Sequence, residues 1–152
     1  MSLTVSFLIG TLAYVICSVI GSHLWHVVLF EDAFLSLKAW TRFDDRLIPA
    51  EVAAHVLQGL LVSHMLPLYL RARGGGEIAG GASFGLWVAG LVFSVAVLAH
   101  GANNSTACFE GFAAMEGVYC LLQYPVSCAA VAFAQGRLRP PLARPGGPGK
   151  SS

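Results

Sequence analysis

From Leu3 to Phe30 the chain carries no formally charged side chain, and this run restricts the fold more than any other feature. About 20 consecutive apolar residues suffice to carry an α-helix across the hydrocarbon core of a bilayer. The run is too long for a simple signal-peptide core and lacks a basic segment ahead of it, which predicts a retained first span over residues 3–30. Three further stretches match it: residues 52–70, 79–100 and 111–135. In lipid, backbone polar groups must be bonded within their own segment, so all four are expected to be helices.

The expected fold class is therefore an all-α integral membrane protein: four transmembrane helices in an antiparallel bundle, with an amphipathic interfacial segment between helices 1 and 2. Residues 1–136 form the transmembrane domain. Residues 137–152, rich in Pro, Gly and Arg, form a disordered cytoplasmic tail with too little apolar surface to offset its ordering entropy. Composition agrees, with 56% hydrophobic residues, 11% charged residues and a mean hydropathy of +0.69. The net charge of +1, with Lys and Arg dispersed or gathered in the tail, argues against nucleic acid as a partner. Cys17, Cys120 and Cys128 fall in apolar runs, where a thiol packs as a small residue, and Cys108 falls in a polar loop.

Basic residues set the expected orientation. Four spans put Arg71, Arg73, Arg137, Arg139, Arg144 and Lys150 on one side, whereas the other holds Lys38, Arg42 and Arg46 among seven acids: Glu31, Asp32, Asp44, Asp45, Glu51, Glu110 and Glu116. The positive-inside rule then places both termini in the cytoplasm. On the outer side, "AFLSLKAWTRFDDRLIP" spaces Phe34, Leu37, Trp40, Phe43 and Leu47 by three or four, the pattern of a helix lying along the interface. The loop "GANNSTACFEG" holds overlapping N-x-S/T sequons at Asn103 and Asn104, close enough to the bilayer to hinder glycan attachment.

Helical spacing also predicts which faces turn inward. Gly81, Gly85, Ala89 and Ala96 form a small-residue stripe on helix 3 that leads to His100, and such stripes let helices approach closely. Glu116, Tyr119, Cys120, Gln123 and Ser127 share a face of helix 4 that lipid would penalise. Glu51, His55, Gln58 and Gly59 share a stripe on helix 2, with His64 pointing elsewhere. Pro67 and Pro125 should free the carbonyls of Ser63 and Leu121, for which His64 and Gln123 are the local candidates. On helix 1, His23 and His26 are three apart, with Ser22 one turn before His26.

All four helices thus deliver a His or Glu to a similar depth near the outer face. His23, His26, His55, His100 and Glu116 are the candidate metal ligands, since neutral imidazole suits Zn, Cu or Fe and a carboxylate supplies charge. Trp25, Tyr119, Gln58 and Gln123 are the candidate residues lining a cofactor pocket. Haem held by two of the histidines is the lesser alternative. The same groups could instead exchange protons, or bond one another and interfacial water at a helix mouth.

Three segments, "GSHLWHVVLF" in helix 1, "GGASFGLWVAG" in helix 3 and "EGVYCLLQYPV" in helix 4, together resemble a family of small four-helix bacterial integral membrane proteins of unknown function. The resemblance implies the fold and a bacterial inner membrane, and no activity. Three functions stay open: a protein binding a metal, cofactor or small ligand in an outer His/Glu-lined cavity; an accessory subunit without chemistry of its own; and a small proton-coupled carrier or membrane enzyme acting on a lipophilic substrate. Expected partners are membrane lipid and either a homo-oligomer or a larger membrane complex.

Overall fold

A computed structural model describes residues 3–38, 48–99 and 107–137, and every element among them is helical. Helix α1, Leu3–His23, runs on into a π-helical segment, Leu24–Leu29. A short helix α2, Glu31–Ser36, follows, then α3, Ile48–Arg73. Helix α4, Glu77–Val92, also runs on into a π-helical segment, Phe93–Ala99, and α5 spans Phe109–Gly136. Four helical stretches are long and apolar enough to cross a membrane: Thr4–Leu29, Ile48–Arg73, Glu77–Ala99 and Phe109–Gly136.

Local chemistry explains the ends. Pro49 sits in the first turn of α3, where a missing N–H costs nothing, and Arg71 and Arg73 complement the dipole of its last turn. Gly74 and Gly75 then adopt positive φ (70° and 92°), a region that side chains disfavour, and the Gly74 N–H closes on the Leu70 carbonyl at 3.1 Å. At the start of α5, Cys108 Sγ accepts the Gly111 N–H at 3.4 Å, so this thiol is a helix cap. In α2, Glu31 and Asp32 occupy the first turn while Phe34 is fully buried. Trp40, Phe43 and Leu47 of the expected interfacial segment lie outside the described residues, as do His100, the sequons and residues 138–152.

Helix α5 is the most enclosed of the four long helices and packs against α1 and α3 on one side and α4 on the other. Against α4 the contact is between small groups. A Cβ added to Gly85 would stand 2.5 Å from the Tyr124 carbonyl oxygen and from Pro125 Cα, and one at Gly81 would stand 2.7 Å from the Cys128 carbonyl oxygen. Ala89 continues this buried stripe as its sequence spacing predicts. Ala96 does not: it is exposed and Val97 is buried in its place. The π-helical winding from Phe93 onward accounts for the change, because an i→i+5 turn holds more residues than an α-turn and shifts which ones face inward.

Against α1 and α3 the contact is polar, as it is between those two helices, where the Tyr14 hydroxyl donates to Gln58 Oε1 (3.1 Å) and the Ser22 hydroxyl to Glu51 Oε1 (3.2 Å). Gln123 Nε2 donates to the Cys17 carbonyl (3.1 Å), joining α5 to α1, and to Ser127 Oγ on its own helix (2.8 Å), rather than to the carbonyl that Pro125 frees. At Pro67 the freed Ser63 carbonyl accepts Gln135 Nε2 at 3.1 Å, while His64, the expected local partner, is exposed. Outward faces are lined by large apolar side chains, including Leu8, Leu12, Ile16 and Ile20 on α1 and Leu57, Leu61, Met65 and Leu68 on α3.

Candidate functional site

Where α1 changes to π-helical winding, His26 meets α5. His26 Nε2 lies 2.9 Å from Glu116 Oε1, and the two side chains are only 12% and 13% exposed. On its other edge, His26 Nδ1 lies 3.0 Å from the Ser22 carbonyl oxygen and 3.4 Å from Ser22 Oγ. The ring therefore stands between a carboxylate and a carbonyl, both acceptors.

That geometry restricts where protons can reside. A neutral imidazole has one N–H; with that proton on Nε2, Nδ1 is left against the Ser22 carbonyl at 3.0 Å with only the longer 3.4 Å contact to the Ser22 hydroxyl to serve it. Two arrangements donate to the Ser22 carbonyl and also fill the Glu116 contact: an imidazolium donating to the carbonyl and to ionised Glu116, or a neutral ring donating from Nδ1 while protonated Glu116 donates to Nε2. They differ only by a proton moved along one 2.9 Å bond.

Aromatic rings enclose this pair. The Tyr119 ring meets His26 edge-on with centroids 4.7 Å apart, and Phe34 of α2 lies 5.0 Å away. Phe34 joins Phe112 and Val97 in a buried apolar cluster, with Trp25, Phe30 and Phe93 packed around it. Trp25 in turn lies 6.0 Å from Tyr119. A charge or proton held here is thus shielded from bulk water by rings on one side.

The opposite side is polar. Ser22 connects His26 to Glu51, which is exposed at the start of α3. His55, half-buried one turn further along α3, lies beside Glu51, Gln58 and His26, with both its ring nitrogens enclosed. Deeper in, the Tyr14 hydroxyl bonds Gln58, and Tyr124 stands beside the same amide.

Of the expected ligand set, the structure brings His26 and Glu116 into contact and places His55 beside them. His23 is exposed and makes no part of this group, because the turn between it and His26 is where α-winding gives way to π-winding. His100 lies outside the described residues. Among the described residues, no three His, Cys, Asp or Glu side chains are arranged to hold a metal ion. Of the expected cofactor-lining residues, Trp25 and Tyr119 flank the His26–Glu116 pair, whereas Gln58 and Gln123 lie further along the helices as interhelical pins.

Helical spacing places Glu51 on the His55 stripe and Phe34 on the outer amphipathic segment, yet neither belongs to the expected ligand or cofactor-lining set. Glu51 reaches the site through Ser22, a contact between residues 29 apart in sequence, and Phe34 covers His26 from α2. Their signals were an acid at the start of a span and an aromatic just beyond one, neither of which identifies a partner by itself. Comparison with models of protein families, with curated proteins and with solved structures finds no match to this chain.

Proposed function

We propose that the chain is a proton-handling integral membrane protein: an antiparallel bundle of four membrane-spanning helices in which His26 and Glu116 take up and release a proton. The observation that carries this reading is the enclosed 2.9 Å His26–Glu116 contact with a second acceptor fixed behind the ring. A carboxylate and an imidazole within a membrane span are costly unless paired, and paired they share a proton along one short hydrogen bond. The bundle is supported by the order of contacts. Gly10 lies against Ser63, Tyr14 against Gln58 and Ser22 against Glu51, so positions rise along α1 as they fall along α3. Insertion in a membrane is supported by the apolar outward faces of helices long enough to cross one. Both termini are assigned to the cytoplasm from the basic residues, and the bacterial inner membrane from the resemblance of the three helical segments.

Histidine labelled with 15N in detergent-purified protein provides the test. The His26 ring is expected to show an N–H at both nitrogens, or one at Nδ1 with a protonated Glu116, and to lose this pattern in Glu116→Gln. A ring that keeps the wild-type pattern in Glu116→Gln, or zinc, copper or iron bound mole for mole and lost in His26→Ala, would overturn the proton reading.

A further inference from the structure

The apolar cluster of Phe34, Val97 and Phe112 stands on one side of the His26–Glu116 pair and offers no proton donor there. We infer that a proton reaches the pair from the exposed carboxylate of Glu51 through the Ser22 hydroxyl. This inference rests on the proton-handling reading above and adds its route.

The atoms lie in sequence. Glu51 Oε1 is 3.2 Å from Ser22 Oγ, Ser22 Oγ is 3.4 Å from His26 Nδ1, and His26 Nε2 is 2.9 Å from Glu116 Oε1. A hydroxyl is both donor and acceptor and its hydrogen rotates freely, so Ser22 can receive a proton from one neighbour while giving its own to the other. The unloaded pair is a neutral ring with its proton on Nε2, ionised Glu116, and a bare Nδ1 facing the Ser22 hydroxyl, and from it one transfer balances as follows. A proton taken by Glu51 from water passes to Ser22 Oγ, the original hydroxyl proton passes to His26 Nδ1, and the Nε2 proton passes to Glu116. The result is a neutral ring donating from Nδ1, a protonated Glu116 and an ionised Glu51. Nothing is oxidised or reduced.

Other ionisable groups face this path from each side. From α3, His55 lies within the field of Glu51 and His26. From α5, the Tyr119 hydroxyl lies beside Ser22, and Cys120 and Tyr124 lie within the field of Glu116. From α2 and the π-helical segment after α4 come the apolar side chains Phe34 and Val97. Glu51 differs from these neighbours in being exposed while bonded directly to Ser22. The geometry therefore makes Ser22 a gate of a single hydroxyl group.

The experiment compares equilibrium with rate. Full-length protein in lipid nanodiscs is transferred from water to deuterium oxide, and deuterium uptake at the pair is followed through the Glu116 carboxyl band and the His26 ring nitrogens. Ser22→Ala and Glu51→Gln are expected to slow uptake about tenfold or more while leaving the equilibrium pattern at the pair in place. Ser22→Thr, which retains a hydroxyl, should restore the rate. Uptake at the wild-type rate in both Ser22→Ala and Glu51→Gln, with the equilibrium pattern intact, would overturn the route and leave the proton-handling reading standing. Absence of that pattern in the wild type would instead remove the reading itself. Glu51→Gln is a change at an exposed position, so it tests the route even if Ser22→Ala fails to fold.

Discussion

The two sides of α5 are joined to their neighbours by different means. Toward α4, Gly81, Gly85 and Ala89 bring the helices together until backbone touches backbone. Toward α1 and α3, the helices are pinned by side-chain bonds from Glu116, Gln123 and Gln135. Both answer the same problem. Lipid tails are as apolar as leucine, so burial against lipid gives helices no reason to prefer one another, and close packing or hydrogen bonding must supply it. The small-residue side can bind only by shape and has no chemistry to offer. The polar side holds ionisable groups, and the candidate site lies there.

The strongest way to break this contrast is to add bulk on the α4 side. Gly85→Leu would drive its first side-chain carbon against the Tyr124 carbonyl and Pro125, where backbone cannot yield as a flexible side chain would. Overpacking of a tight contact costs about 1–3 kcal/mol and occasionally more, and here the upper end or loss of the fold is expected. Unfolding in mixed micelles, followed by circular dichroism, measures it. Leu86→Ala, one residue along and exposed, serves as the comparison and should change stability by less than about 0.5 kcal/mol. Equal effects would mean that α4 does not depend on close approach.

On the polar side the expected losses are smaller and depend on chemistry more than volume. Glu116→Ala removes one partner of an enclosed pair and takes the carboxylate away from His26 Nε2, which should cost about 1–3 kcal/mol. Glu116→Gln keeps the shape and a hydrogen-bonding group and should cost less than half of that. If Gln and Ala prove equally damaging, the pair contributes through charge alone. His23→Ala, at the exposed neighbour, should fall within about 0.5 kcal/mol of wild type.

How far each side was legible follows from the same physics. The four helices were plain, because length and apolarity decide them locally. Gly81, Gly85 and Ala89 were legible because α-winding repeats at a fixed spacing, and the reading failed at Ala96 and separated His23 from His26 where the winding turned to π. No residue type announces a π-segment, and tertiary packing selects it. Of the polar side, Glu116 and Gln123 were visible as groups that must turn inward. Their partners were not, since a carbonyl such as Cys17 or an acid such as Glu51 becomes a partner only once the helices are placed.

The smallest effect separates a pin that serves a specific backbone defect from one that merely adds a bond. Gln135 is buried and donates to the Ser63 carbonyl, which Pro67 deprives of its helical N–H. Gln135→Leu should therefore cost about 1 kcal/mol in the wild-type background, near the upper range for hydrogen bonds between membrane helices. Changing Pro67 to Ala gives the Ser63 carbonyl a helical donor, so the same Gln135→Leu change should then cost less than about half as much. The difference is the coupling in a double-mutant cycle. A coupling of zero would make Gln135 an ordinary polar contact. A positive one would show that α5 carries the repair for a proline in α3, and that proline and glutamine must be kept or lost together.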